Sequence, residues 1–233
     1  MRSYGQYCAL SKGLDIIGDR WALLIVRELL IRTEARYTDL RDGLPGIATN
    51  LLATRLKDME ENGVIERFDA PPPVATTLFR LTPRGKELEA VIVQIGRWGE
   101  PLLASAPKND AFCGHWMTLP ARRLLRDNAP AEPPVVMELR AGGTAVTVKA
   151  MNGTVRVSPG AAENPDAVIS GPAPLMYQVL AGKTELSRAC AAGLHFSGDA
   201  AALRRMQPQA VPAKTASRIS SKKSSPSQRR GDK

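Results

Sequence analysis

Thr49, Asn50, Ala53, Thr54 and Lys57 lie on one side of the segment from Thr49 to Asn62. Leu52, Leu56 and Met59 recur on the other side at i, i+4 and i+7, the spacing of a buried helical stripe. An asparagine amide on the exposed side can bond the N6 and N7 edge of adenine. Threonine and lysine reach base edges or phosphate oxygens. The bland alternative for all of them is an ordinary solvated helix face. Arg55 is open between a phosphate contact and an acidic partner inside its own domain. Arg67 and Arg80 flank a Pro71-Pro72-Pro73 loop, where they either hold a nucleic-acid backbone or minor groove, or serve only solubility.

Other chemistry is sparse. Cys8, Cys113 and Cys190 are far apart and in no metal-ligand spacing, which reads as reduced thiols in a reducing compartment. His115 and His195 are the only histidines, and neither lies near a cysteine or carboxylate at ligand spacing. There is no nucleophile elbow, no phosphate loop and no dinucleotide fingerprint, since Gly142-Gly143 reads as a turn. No catalytic residue, metal or cofactor is expected.

The elements that must position the first set follow from periodicity and caps. Leu10 to Gly18 reads as a helix with Leu14 and Ile17 on one face. Asp19 is placed to cap a second helix over about Arg20 to Arg32, apolar nearly all round. Thr38 is placed to cap a short helix ending near Leu44, and Pro45-Gly46 turns the chain into Thr49–Asn62, which Gly63 stops. Ile65–Asp69 and Thr76–Leu81 read as two strands around the proline loop. Thr82-Pro83 opens a helix running to about Ser105, with Leu88, Val91, Ile92, Ile95 and Trp98 apolar. That is more apolar surface than a lone terminal helix covers, so a partner subunit is expected. Helix, turn, helix and wing, in that order, lay one helix in a DNA major groove.

After Ala106–Asp110 the texture changes. A helix over Leu119–Asp127 precedes short alternating runs at 135–140, 144–150, 154–158 and 166–170, and Asn152-Gly153 is a hairpin signal. Helices over 173–181 and 185–192, a strand at 194–197 and a helix capped by Asp199 complete an α+β region. The expected division is 1–107, 108–207 and a disordered basic tail at 208–233.

The net charge of +9 is unevenly spread. Residues 1–100 balance at 14 basic and 14 acidic, 101–207 net +3, and the tail nets +6. Charge therefore says little about the first region, and the helix pattern carries the nucleic-acid reading. The tail is too polar to offset the entropy of ordering, and its lysines and arginines are open between tracking DNA backbone and mere solvation. No apolar run approaches the ~20 residues of a membrane span, and no apolar leader follows Met1, so the chain reads as cytoplasmic with no membrane partner.

The residues Cys8, Leu14-Asp15-Ile16-Ile17-Gly18-Asp19-Arg20-Trp21, Arg27-Glu28-Leu29, Leu44-Pro45-Gly46-Ile47, Gly63-Val64-Ile65, Leu81-Thr82 and Trp98-Gly99 resemble the signature of HxlR-type winged helix-turn-helix regulators. Ala48 stands where a serine cap is usual, so Thr49 is the substitute. Asp166–Gly171, Leu180-Ala181-Gly182 and Gly198-Asp199 resemble a sterol-carrier-type domain more loosely. Together they imply a mainly α winged helix-turn-helix N-terminal domain plus an α+β sterol-carrier-like C-terminal domain.

The resemblance implies a homodimeric, sequence-specific transcriptional regulator of double-stranded DNA, gated by an apolar small-molecule effector, and with no catalytic constellation in the sequence no enzyme is expected. Leu175, Met176, Val179 and Leu194 would line the ligand site and Tyr177 would orient the ligand, with plain core as the alternative. Cys8 stands where some members carry a redox-sensing thiol, and Lys12 and Arg2 are near enough in sequence to lower its pKa. The competing alternative is a half-buried apolar contact. The competing function is an apolar-ligand carrier whose winged-helix half only dimerises.

Overall fold

The computed structural model describes residues 3–73, 75–107 and 109–208. From residue 209 the expected basic tail lies outside the described residues.

The first half runs α1 (Ala9–Ile17), α2 (Ala22–Arg32), β1 (Glu34–Ala35), α3 (Tyr37–Asp42), α4 (Thr49–Glu61), β2 (Ile65–Asp69), β3 (Thr77–Leu81), α5 (Pro83–Lys86) and α6 (Leu88–Gly99), then a 3-10 stretch over Glu100–Ser105. The three strands form an antiparallel sheet in the order β1-β3-β2, with Ile65 opposite Leu81 and Asp69 opposite Thr77 at the two ends of the hairpin. Ile25, Val26 and Leu29 of α2 are buried with Leu40, Leu52, Leu56, Met59, Ile65 and Leu81. Helix α2 is thus the central post against which the helix pair and the hairpin pack, because its apolar residues go nearly all round.

Several caps differ from expectation. Asp19 does not cap α2. Its carboxylate is drawn to Arg55 at 2.5 Å, and Trp21 takes the N-cap place in a left-handed conformation, φ 85°, with no side-chain cap. Helix α3 begins at Tyr37, ahead of Thr38, because the Asp39 carboxylate accepts from the Arg36 amide. Gly63 ends α4 as expected, at φ +67°, a left-handed conformation that glycine adopts at the lowest cost. Thr82 accepts from the Gly85 amide at 3.0 Å, with Pro83 at the first helical position. The expected long final helix is broken at Glu87 and tightens to 3-10 geometry after Gly99. Strand β1 carried no signal in the sequence, being two residues paired to an established edge.

The second half opens with a 3-10 turn, Gly114–Met117, and continues α7 (Thr118–Leu124), β4 (Val135–Ala141), β5 (Thr144–Met151), β6 (Thr154–Pro159), β7 (Ala167–Ser170), α8 (Ala173–Leu180), α9 (Leu186–Ala191), β8 (His195–Gly198) and α10 (Ala200–Met206). The sheet order is β6-β5-β4-β7-β8. Only β4 and β7 run parallel. Asn152 at φ 51° and Gly153 at φ 78° make the tight β5–β6 turn. Alternate residues Val146, Val148 and Ala150 of β5 are buried, while Lys149 is exposed, the period-2 pattern of a sheet with one covered face. That face meets Met176, Val179, Leu180, Leu203 and Met206 from the helices.

Polar contacts join the two halves. Arg122 donates to the Leu30 carbonyl at 3.0 Å, beside the end of α2, and to the Val157 carbonyl. Glu100, just past α6, accepts from Arg123 at 3.2 Å and from Lys183 at 2.6 Å. The Lys183 bond, with the charges around it, holds the Glu100 carboxyl below its usual range.

Candidate nucleic-acid interface

Helix α4 buries Leu52, Leu56 and Met59 and exposes Thr49, Asn50, Ala53, Thr54 and Lys57, the division its spacing requires. Neither Ala48 nor Thr49 supplies a side-chain cap. Instead the Tyr37 hydroxyl donates to the Thr49 carbonyl at 2.7 Å and ties α3 to the start of α4. Sequence reasoning missed Tyr37, because nothing in its spacing links it to Thr49. Asn50 Oδ1 accepts from the Leu51 amide at 2.9 Å. The Thr54 hydroxyl donates back to the Asn50 carbonyl at 2.9 Å, which fixes its rotamer with its methyl and a lone pair remaining.

The arginines divide. Arg55, open in the sequence between two roles, is half-buried and pairs with Asp19 at 2.5 Å and Asp58 at 3.0 Å, so it braces α4 against the α1–α2 turn. Arg67 is exposed and approaches Glu60 at 3.1 Å. Arg80 bonds Glu66 at 2.6 Å, lies 3.6 Å from Glu34 and stacks over Phe68 at 4.4 Å. Surface pairs of this kind are worth ~0–1 kcal/mol, so a phosphate can replace the carboxylate at little cost. An open groove between α4 and the hairpin is lined by Tyr37, Ala53, Lys57, Glu60, Arg67 and Phe79. The structure thus brings Ala53, Lys57 and Arg67 together on one groove and leaves Arg80 on the far face of the hairpin's ion pairs.

The remaining expected residues fall elsewhere. Cys8 is exposed at the N-cap of α1, where hydrogen bonding from the Ser11 and Leu10 amides lowers its thiol pKa. Lys12 is paired with Asp15 at 3.7 Å instead. Met176, Val179 and Leu194 are buried within the second core, and Leu175 and Tyr177 lie half-buried against it. The Tyr177 hydroxyl is held by Arg123 at 2.6 Å. His115, which has no carboxylate at ligand spacing in the sequence, is buried 2.7 Å from Glu28, a residue 87 positions away and so beyond any spacing rule. Among the described residues no group of three or more His, Cys, Asp or Glu is placed to hold a metal, and no helix is long and apolar enough to cross a membrane.

Residues 16–106 match the family model of HxlR-like helix-turn-helix proteins, and residues 129–210 match that of the SCP-2 sterol transfer family. An HTH-type transcriptional regulator of Synechocystis sp., sll1512, is 31% identical over 99 residues, which span 42% of this chain and 73% of the relative. YvaP of Bacillus subtilis, also named an HTH-type transcriptional regulator, is 33% identical over 87 residues, 37% of this chain and 80% of its own. The solved structure of the transcriptional regulator YodB from B. subtilis in its reduced form aligns with 26% identity and a TM-score of 0.37, covering 44% of this chain and all of that one, 100%.

Proposed function

This chain belongs to the HxlR-like helix-turn-helix family and carries an SCP-2-type domain behind it, and from that premise we propose that it is a dimeric, sequence-specific DNA-binding transcriptional regulator gated by an apolar ligand. The observation that carries the DNA part is the division of α4. Its apolar stripe is closed into the core and Asn50, Ala53, Thr54 and Lys57 are outward beside the Arg67 hairpin. In that arrangement Asn50 and Thr54 meet base edges in the major groove and Lys57 and Arg67 meet the backbone, while Arg80 stays on the other face of the hairpin with Glu66 and Glu34.

Dimerisation is supported by α6, which buries none of its residues and leaves Ile95 at 48% and Trp98 at 79% exposed. Tyr7, Leu10 and Leu14 at the opposite end of the domain's sequence are exposed as well. A second copy covers such surfaces isologously, and the two reading helices then meet a near-palindromic site.

We place the second domain at 108–207, ahead of its family match, because Met117, Ala121 and Leu125 are buried in the second core. An apolar ligand there fits the SCP-2 match. Met176, Val179 and Leu194 fill the core in this structure, so entry of a ligand parts α8 from the sheet. A ligand that distinguishes the parted form from the closed one shifts DNA affinity by that difference.

The test is selection of duplexes from a random pool by the full chain, with sedimentation of the protein alone and bound. Enrichment of a palindromic site by a dimer is the expected result. Binding that depends on salt but enriches no sequence would leave only the carrier reading, with the winged half serving assembly.

A further inference from the structure

Glu28 is fully buried on α2, and its carboxylate is the meeting point of three parts of the chain. Oε1 accepts from Arg27 at 2.9 and 3.1 Å and from the Trp116 indole N–H at 2.8 Å. Oε2 accepts from His115 Nε2 at 2.7 Å, with the Arg32 guanidinium at 3.5 Å. Arg27 stacks on the Trp116 ring at 4.1 Å and also donates to the Gly43 carbonyl at 3.3 Å. Gly43 closes α3 at the turn into α4, and it has no room for a side chain, since a Cβ there would collide with Glu28 Oε2. Burial pushes the Glu28 carboxyl up, but the bond to His115 and the Arg27 charge outweigh it, so the group stays ionised.

Two of these donors, His115 and Trp116, come from the 3-10 turn that opens the second half. Without them the buried Oε2 keeps only the distant Arg32, and Oε1 loses the partner that also flanks Arg27. A buried carboxylate short of donors is costly and rearranges. Here the carboxylate lies directly against Gly43, at the turn that leads into α4, so a shift of Glu28 is felt there.

We propose that His115 and Trp116 are positioning residues for DNA reading: by completing the Glu28 site they hold the Gly43 turn, so the docking of the second domain sets how α4 is presented. This rests on the DNA-binding reading above. It also gives the second domain a route to the reading helix that passes through one carboxylate.

The experiment uses the full chain and a duplex that the wild-type protein itself selects from a random pool. Affinity is measured for that duplex and for a scrambled one at a single salt concentration. His115→Ala and Trp116→Phe should each weaken binding to the selected duplex by about tenfold, within the usual range of coupling between sites, and leave the scrambled duplex nearly unchanged. His115→Gln, which keeps an N–H donor for Glu28, should restore most of the loss. In 15N-labelled protein the Trp116 indole resonance, assigned by its absence in Trp116→Phe, should shift when the selected duplex is added.

Folded variants that bind the selected duplex as tightly as the wild type, whatever their melting temperature, overturn the proposal and leave the DNA reading intact. Equal losses on both duplexes, or a glutamine no better than alanine, overturn it too. Should His115→Ala not fold, Trp116→Phe and the indole signal decide, an unchanged affinity with an unmoved resonance being the refuting pair. A wild-type chain that enriches no sequence removes the DNA reading, and this proposal with it.

Discussion

Asn50 tests the base-reading assignment most directly, because it is exposed at the first turn of α4 and its Oδ1 makes only a local bond to the Leu51 amide. Asn50→Ala should weaken binding to a selected duplex by roughly 1–3 kcal/mol, the size of a lost bidentate base contact. Titration against a scrambled duplex should show little change. A matching loss there would put Asn50 on the backbone. Asp127 makes a different point at the same scale. It pairs with the buried Arg205 at 2.8 Å, and that hydrogen bond lowers its pKa from 3.8 to about 2. Because the folded value lies below the unfolded one, the pair stabilises fully above pH 3.8 and its contribution is lost as pH falls toward about 2. Asp127→Asn leaves the buried Arg205 only the exposed Glu132 at 3.8 Å as counter-charge and should cost roughly 3 kcal/mol near neutrality. The melting-temperature gap between wild type and variant should close between those two pH values. A gap that is constant with pH would show that the pair does not titrate with folding.

At the scale of elements, α6 is a helix whose apolar face stays partly uncovered within one copy, as do Leu10 and Leu14 of α1. Its apolar face was legible from Leu88, Val91, Ile92, Ile95 and Trp98, and the structure buries none of them fully. Ile95→Arg places a charge where the second copy is proposed to lie, and a buried unpaired charge there costs several kcal/mol. Equilibrium sedimentation should show the wild type as a dimer at micromolar concentration and the variant shifted to monomer, with unchanged far-ultraviolet circular dichroism. A wild-type monomer under those conditions would reject the dimer. The broken α5–α6 junction and the two-residue β1 were not legible. The first follows Gly85, which packs under the Val64 carbonyl 21 positions earlier in the chain, and the second is two residues paired to the β3 edge.

At the scale of the molecule, the question is whether the second domain takes a ligand. Ligand bound only by the folded state adds about 2.7 kcal/mol at a hundredfold excess over the dissociation constant. Thermal melts of the full chain with fatty acids, sterols and aromatic metabolites should find one class that raises the transition, and that class should also change affinity for the selected duplex. If none raises it, the domain's contribution is docking, through Glu28 and Glu100. Tyr177 bears on this, since its hydroxyl is engaged by Arg123 in the Glu100 cluster and thereby joins α8 to the end of α6.

The sequence by itself determined what periodicity, turn chemistry and caps can specify. The stripe Leu52, Leu56 and Met59, the stop at Gly63, the Thr82-Pro83 start, the Asn152-Gly153 hairpin and the change of texture near 107 each depend on neighbours a few residues away. It also placed the outward residues of α4, because a helix face follows from its opposite face. What the tertiary structure alone decided are the long-range polar partners. Arg55 had two readings until Asp19 stood beside it, 36 positions earlier in the chain, and that same bond took Asp19 away from the cap of α2. Tyr37 holds Thr49, and His115 and Trp116 complete Glu28 from 87 and 88 residues away. Such pairings leave no periodic trace, since each needs only one residue of the right type at each end. Their geometry comes from the packing of whole elements against one another.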